Sequence, residues 1–104
     1  MTTTEIRDAL INARAAANLQ ADTEDGGTCN FDCVVLRLAA AGGVVEAAKE
    51  IGLRTFTGNW SGMGRYVWLR FGHGQANRNT RMAEAAFKSL TAAGLPVTMY
   101  YQMD

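Results

Sequence analysis

The sequence has few of the residues that build metal and redox centres. It contains one histidine, His73, and two cysteines, Cys29 and Cys33, whose spacing is not that of a Cys-x-x-Cys pair. A structural zinc site needs four nitrogen or sulfur ligands at characteristic spacings, and this chain offers one too few. We therefore expect no metal and no cofactor, and we expect both cysteines to be ordinary buried or half-buried thiols.

Long apolar runs and phosphate-loop motifs are also missing. No stretch approaches the roughly 18 apolar residues of a membrane span, and the residues after Met1 lack the basic start and apolar core of a signal peptide. We therefore expect a cytoplasmic protein with no membrane partner. Gly72-x-Gly74-x-x-Asn77 lacks the third glycine of a dinucleotide fingerprint, and no Gly-x-x-x-x-Gly-Lys-Ser/Thr loop occurs.

Acidic residues are absent from one third of the chain. Between Ile51 and Ala83 there is no Asp or Glu, whereas five arginines and His73 fall there, so this block carries a charge of about +5 although the whole chain is neutral. Folding can pair these arginines with the acidic first third of the chain. Alternatively they form an anion-binding surface, because guanidinium makes planar, bidentate contacts with phosphate or carboxylate.

The hydrophobic pattern predicts one α+β domain over residues 1–104. Periodicity predicts helices over residues 3–20, 44–51 and about 77–93, and strands over residues 31–38, 53–57, 65–71 and 97–103. Thr2 and Glu5 fit a capping box, and Gly52 fits a left-handed helix cap. The order α-β-α-β-β-α-β favours about four mostly antiparallel strands, with the two longer helices packed on one face of the sheet.

The predicted strand over residues 65–71 has a polar and aromatic face. Its alternation places Tyr66, Trp68 and Arg70 together on the side that the helices leave open, and Tyr100 of the last strand is expected on the same side. Aromatic rings beside an arginine are suited to stacking on a nucleobase. The alternative is that these rings pack against the first helix or against a second subunit.

The junction before the last helix is the other candidate site. A helix start favours negative charge, yet this helix begins with Arg78 and Arg81, and its first acid is Glu84. A bound oxyanion would receive backbone donors and both guanidinium groups there. The alternative is a solvated cap formed by Asn79 or Thr80.

The two candidate sites can form one nucleotide site, with phosphate at the junction and the base on the sheet, because Arg70 is expected to point toward the junction. No catalytic or metal-binding residue is predicted. The residues predicted to bind the ligand are Tyr66, Trp68, Arg70, His73, Gln75, Asn77, Arg78, Asn79, Thr80, Arg81 and Tyr100.

The segment from Asp22 to Asp32 combines acids, glycines and an asparagine, and its role stays open. The spacing of an EF-hand is absent, although a looser cation site is compatible with these residues. Hydrogen bonds to a ribose hydroxyl, or to an arginine of a neighbouring chain, and a simple solvated turn are equally compatible with them.

Three stretches together carry a resemblance: Asp25-Gly-Gly-Thr-Cys-Asn-Phe-Asp32, Gly74-Gln-Ala-Asn-Arg-Asn-Thr-Arg81 and Tyr100-Tyr-Gln-Met-Asp104. In combination they resemble a family of small proteins encoded in bacteriophage and prophage genomes, which implies a bacterial host cell and names no activity. The size and the candidate anion loop are also similar to phage counter-defence proteins of the Thoeris anti-defence type. That similarity implies sequestration, without catalysis, of cyclic ADP-ribose isomers or cyclic oligonucleotides in pockets shared between subunits. It transfers no ligand residue to this chain.

These observations support one leading hypothesis and three alternatives. The hypothesis is a non-enzymatic, homo-oligomeric counter-defence protein that sequesters a small phosphate-bearing nucleotide. The first alternative is an inhibitor that binds a host defence protein, as anti-CRISPR proteins do, through the arginine block or the first helix. The second is a single-stranded nucleic-acid binder on the open sheet face, which the zero net charge disfavours. The third is a small enzyme built on His73, which the sequence does not support.

Overall fold

The first helix begins at residues that cap it. In the computed structural model, which describes residues 1–21, 31–73 and 76–101, α1 spans Thr3–Asn18. The Thr2 hydroxyl accepts a hydrogen bond from the Glu5 N–H at 3.1 Å, and the Glu5 carboxylate accepts one from the Thr2 N–H at 2.8 Å. This confirms the predicted capping box, which satisfies donors that a helix start leaves open. Hydrogen bonding to Thr2, first of all from its backbone N–H, lowers the pKa of Glu5 because it stabilises the carboxylate.

The remaining elements follow the predicted order. They are β1 (Cys33–Arg37), a 3-10 turn (Leu38–Ala40), α2 (Val44–Glu50), β2 (Arg54–Trp60), β3 (Gly64–Arg70), α3 (Ala76–Ala92) and β4 (Thr98–Tyr100). The four strands form one sheet in the order β2-β3-β1-β4, and every pairing is antiparallel. The α+β class and the α-β-α-β-β-α-β order are therefore confirmed.

β2 is longer than predicted, and the loop that follows it is shorter. The pattern predicted a strand that ends at Thr57 and a link over residues 58–64, whereas the strand runs on to Trp60 and the turn takes residues 61–63. The Met63 N–H donates to the Trp60 carbonyl at 2.7 Å, and Gly62 has φ 76° at the third position of this turn. Glycine is favoured at that position because a type II turn needs a positive φ there. The longer strand places Trp60 on the sheet.

The helices cover one face of the sheet, as predicted. Four side chains of β1 and β3 point to the helices and are fully or almost fully buried: Val34, Leu36, Val67 and Leu69. The helical side chains that share this core include Leu10, Ala13 and Ala17 of α1, Val44 and Ala47 of α2, and Met82, Ala86 and Leu90 of α3. Burial of each large apolar side chain contributes about 1.5–3 kcal/mol, so this layer supplies most of the hydrophobic stabilisation.

Two arginines of α1 contact the end of α2. Arg14 donates a hydrogen bond to the carbonyl of Ile51, and Arg7 forms an exposed ion pair with Glu50 at 3.5 Å. The hydrogen bond satisfies a carbonyl that a helix end leaves open, whereas an exposed ion pair contributes less than about 1 kcal/mol. Neither contact involves the arginines of residues 51–83.

Candidate functional site

Within residues 1–21, 31–73 and 76–101, aromatic rings and no helix cover the second face of the sheet. Trp60 of β2, Tyr66 and Trp68 of β3, and Tyr100 of β4 form what we call the aromatic cluster. Ring centroids lie 5.0 Å apart for Trp60 and Tyr66, 5.2 Å for Trp60 and Tyr100, and 5.4 Å for Trp68 and Tyr100. These pairs meet edge to face, which is a favourable arrangement of aromatic quadrupoles. Trp60 and Tyr100 come from the two edge strands, and because their rings meet, both rings lean over the centre of the sheet.

The aromatic cluster buries the middle of the sheet. Val35 of β1, which pairs with Trp68 on one side and Thr98 on the other, is fully buried beneath it. Cys33 is also buried, and its thiol donates to the Leu69 carbonyl at 3.0 Å. Burial raises the pKa of Cys33 to about 11, although the positive charge of Arg70 acts in the opposite direction. The prediction of a buried thiol is confirmed for Cys33, and Cys29 lies outside the described residues.

A pocket of about 320 Å³ opens beside the aromatic cluster. Its lining residues are Phe31, Phe56, Asn59, Trp68, Arg70 and Tyr100. Four of these side chains are aromatic, and the guanidinium of Arg70 and the amide of Asn59 supply the polar groups. The volume falls at the lower end of the range of about 300–1,000 Å³ for small-molecule sites. The arrangement suits a flat ring that carries a negatively charged group.

One wall of the pocket depends on a glycine. The ring of Phe56 is 63% exposed, and its centroid lies 5.6 Å from that of Trp68. The ring also lies over Gly58, because a Cβ atom at Gly58 would stand 2.9 Å from Cε1 of Phe56. Any larger residue at position 58 must therefore displace the Phe56 ring.

Two arginines stand side by side on the same face. Arg54 of β2 pairs directly with Arg70 of β3, and both side chains are exposed. We call this pair the arginine rung. Like charges directly opposite each other in a sheet repel, and in the described ranges of the chain neither guanidinium forms an ion pair that offsets the repulsion. A bound anion would turn this repulsion into a favourable contact.

The structure divides the residues that were predicted to form one site. Trp68, Arg70 and Tyr100 line the aromatic pocket. Tyr66 is only 4% exposed and lies within the aromatic cluster, and the guanidinium carbon of Arg37 stands 5.4 Å from its ring centroid. The rings thus pack against one another, while α1 lies on the opposite face of the sheet.

Arg81 lies on the helix side of the molecule. It lines a groove of about 430 Å³ between α1 and α3, together with Gln20, Glu84 and Lys88. Glu84 accepts a hydrogen bond from the hydroxyl of Tyr101 at 2.8 Å. Because Arg81 and Trp68 line different pockets on different faces, one small ligand cannot place its phosphate on Arg81 and its base on Trp68.

The start of α3 is fastened to Asp32, the residue that precedes β1. The Asn79 amide donates to the Asp32 backbone carbonyl at 3.0 Å, and the Thr80 hydroxyl donates to the Asp32 carboxylate at 2.7 Å. The buried carboxylate of Asp32 thus supplies the negative charge that the sequence of α3 itself lacks at this end. Because α3 begins at Ala76, Asn79 and Thr80 are its fourth and fifth residues, and the interpretation of either as the cap residue is wrong.

Three other predicted ligand residues do not line the pocket. His73, which follows β3, and Asn77 of α3 are exposed, and Arg78 is half-buried. Gln75 lies outside the described residues, as does most of the segment from Asp22 to Asp32. The predicted ligand contacts of these residues stay predictions.

Half of the residues that line the pocket were not predicted from the sequence. Phe31, Phe56 and Asn59 line the pocket, and Arg54 completes the arginine rung. Period-two alternation was the signal that could have found Phe31, Arg54 and Phe56, but it assigns Asn59 to the opposite face, beside Arg65. Alternation continued through Gly58 would have placed Arg54, Phe56 and Trp60 on the face of Trp68.

Comparisons with known proteins add no family to this description. Neither a protein-family model, nor a curated protein, nor a solved structure matches the chain. In the described part of the chain, no three His, Cys, Asp or Glu residues are grouped so that they could hold a metal ion. No helix in the same ranges is both long enough and apolar enough to cross a bilayer.

Proposed function

We propose that the protein is a non-enzymatic binder of a small phosphate-bearing nucleotide, which it holds in the pocket beside the aromatic cluster. The observation that carries the proposal is the combination of four aromatic side chains with the guanidinium of Arg70 in one pocket of about 320 Å³. A nucleotide has the two complementary parts, a flat base and an anionic phosphate. Stacking of a base on an aromatic side chain contributes about 1–3 kcal/mol, and guanidinium groups bind phosphate through charge-assisted hydrogen bonds.

The strand geometry gives the bound nucleotide a direction. Residues 68 and 70 of β3 lie on one face about 7 Å apart, since two residues of a strand span that length. The base would stack on the exposed side of the Phe56 and Trp68 rings, beside the Asn59 amide that lines the same pocket. The phosphate would lie on the arginine rung, and the ribose would occupy the space between them.

The chemistry of Cys33, which lies beneath the aromatic cluster, is compatible with binding without catalysis. The pKa of Cys33 is raised to about 11, so the group is a neutral thiol near pH 7. A thiol without thiolate character is a poor nucleophile. The pocket residues are therefore suited to holding a ligand intact.

The resemblance to phage counter-defence proteins suggests the biological role. In that role the protein sequesters a cyclic nucleotide signal in the cytoplasm of the bacterial host and acts by lowering the free concentration of the signal. The chemical class of the ligand in this proposal is thus a cyclic nucleotide or a cyclic ADP-ribose isomer.

Isothermal titration with cyclic nucleotides, ADP-ribose isomers and the matching nucleosides tests the proposal. Arg70→Ala should weaken nucleotide binding about tenfold or more and leave weak nucleoside binding unchanged, because only the phosphate contacts the guanidinium. Arg65→Ala is the matched control, since Arg65 is an exposed arginine of the same strand on the opposite face. Equal effects of the two variants, or flat heats for every compound, would remove the proposal.

A second function is favoured by the extent of the positive and aromatic surface. The exposed ring of Phe56 and the arginine rung form an open face, and single-stranded nucleic acids bind such faces by stacking successive bases. Binding of that kind weakens steeply with salt because counterions are released. Tight binding of an oligonucleotide with a steep salt dependence, and weak binding of mononucleotides, would favour this function over the first.

A further inference from the structure

β2 is an edge strand without the features that protect edges. It pairs with β3 over all seven residues with no bulge, and in the described sheet no strand pairs with its outer side. Its sequence contains no lysine and no proline, and Phe56 is exposed on it. β4, the opposite edge, has only three residues. A long, regular edge presents unpaired N–H and C=O groups to a further strand, and proteins usually blunt such edges.

The sequence of β2 is complementary to itself when two copies run antiparallel around Thr57. In this register Thr57 faces the Thr57 of the other copy. Phe56 then faces Gly58 of the other copy, which has no side chain to compete for space with the two Phe56 rings, each lying over the Gly58 of its own chain. Arg54 faces Trp60, which brings a guanidinium onto an indole ring. Two-fold symmetry repeats each of these contacts, so both ends of the strand gain a partner.

Other registers lose this complementarity. A pairing centred on Phe56 would set the two exposed Phe56 rings against each other and place Arg54 on Gly58. A pairing centred on Gly58 would set glycine on glycine and leave Arg54 beyond the paired residues. The register around Thr57 is the one that gives both the bulky ring and the cation a suitable neighbour.

We infer that β2 pairs with the β2 of a second copy of this chain, so that two four-stranded sheets join into one sheet of eight strands. The partner is a second copy because the complementarity is between β2 and itself. β2 carries one charged residue, Arg54, and in this register the two Arg54 side chains lie at opposite ends of the paired strands, so they repel each other only weakly. The seven paired residues of each strand span about 24 Å. A contact limited to one pair of edge strands is small, and small interfaces are typical of weak, concentration-dependent dimers.

This pairing also has a consequence for the aromatic pocket, although it does not rest on the proposed function. Phe56 and Asn59 belong to β2 and line the pocket, so the two pockets of the dimer lie beside each other across the symmetry axis. The exposed Phe56 ring becomes partly covered by the second strand. The dimer therefore forms with or without a ligand.

Sedimentation analysis of a concentration series tests the interface. Thr57→Lys sets two positive charges against each other on the axis and should raise the dissociation constant of the dimer at least about tenfold. Thr98→Lys is the matched control, because it places the same charge at an exposed threonine of the other edge strand. A wild-type protein that stays monomeric at every concentration, or a dimer that Thr57→Lys leaves intact, overturns the inference.

Disulfide trapping tests the register and does not depend on a charged variant that folds. In a Cys29→Ser background, Thr57→Cys should form a covalent dimer on oxidation, since facing residues bring their Cβ atoms within disulfide reach. Thr55→Cys and Asn59→Cys should each form no covalent dimer alone and should cross-link when mixed, because residue 55 of one copy faces residue 59 of the other. Self-linking by Thr55→Cys, or no covalent dimer from Thr57→Cys that remains folded, contradicts this pairing.

Discussion

Replacement of Gly72 by alanine should destabilise the fold strongly, because Gly72 lies against the junction that fastens α3 to Asp32. A Cβ atom on Gly72 would overlap with Oδ1 of Asn79 and would lie 2.8 Å from the Asn79 backbone oxygen. Carbon atoms in favourable contact with their neighbours stand about 3.5–4.0 Å away. Asn79 is 2% exposed and belongs to the first turn of α3, so neither its side chain nor its backbone has free space to move into.

The cost of this substitution can be estimated from the contacts that it breaks. The Asn79 side chain would have to give up its hydrogen bond to the Asp32 carbonyl, which is 3.0 Å long and buried. An unsatisfied buried partner costs about 1–3 kcal/mol, and overpacking of a tight site costs about 1–3 kcal/mol. We expect Gly72→Ala to lower the free energy of unfolding by about 2–6 kcal/mol, a large part of the 5–15 kcal/mol typical of small domains.

Urea denaturation followed by the fluorescence of the two tryptophans measures this effect. Gly42→Ala is the control, since nothing lies within 4 Å of a Cβ atom there, and it should change the stability by less than about 1 kcal/mol. In an Asn79→Ala background the cost of Gly72→Ala should fall by at least about 1 kcal/mol, because the side-chain overlap is gone. Equal costs for the two glycines, or full additivity with Asn79→Ala, would refute this explanation of the junction.

Three further substitutions test other parts of the structure. Thr2→Ala removes the capping box and should cost about 1 kcal/mol, whereas Thr4→Ala in the same helix should change the stability by less than about 0.5 kcal/mol in thermal denaturation. Folding raises the pKa of Cys33 from 9.0 to about 11, so as the pH rises the thiol of the unfolded chain loses its proton before that of the folded protein. The stability should therefore fall above pH 9 by up to about 1.4 kcal/mol per pH unit. Cys33→Ala should lack that part of the decline, and identical alkaline curves for the two proteins would contradict the assignment. Gly58→Ala should displace the Phe56 ring and weaken nucleotide binding several-fold. The unfolding free energy should change by less than about 1 kcal/mol. An unchanged affinity in titration would exclude Phe56 as a wall of the site.

The helices and their caps were predictable because their signals are local. The capping box depends on two residues three positions apart, and Gly52 takes the left-handed conformation, with φ 73°, directly after a short amphipathic helix. The apolar stripes likewise repeat within a few turns. Such elements need no knowledge of the rest of the chain.

The site was harder to predict because its parts meet only in the folded sheet. Gly58 is typical of a turn, yet here it is a strand residue whose missing side chain makes room for Phe56. The arginine rung exists only because the register sets Arg54 against Arg70. The rotation of α3, which turns Arg81 to the groove beside α1, depends on packing that no local pattern contains.

The negative charge at the start of α3 shows the same limit. The sequence of this helix lacks an early acid, which led to the prediction of an external anion. Asp32, 48 positions from Thr80, supplies a carboxylate from within the chain. A local deficit of charge can thus be met by a distant residue, and the pocket on the sheet face carries the functional argument instead.

The most direct test of ligand binding follows the indole N–H signals of the two tryptophans by NMR during titration with a nucleotide. Trp68 lines the pocket, whereas Trp60 lies in the aromatic cluster beside it. We expect a saturable shift of the Trp68 signal and a smaller shift of the Trp60 signal. In Arg70→Ala, both shifts should disappear at the same nucleotide concentration. Nucleotides that leave the Trp68 signal in place, or that shift only the residues of the groove between α1 and α3, would show that the aromatic pocket is not the binding site.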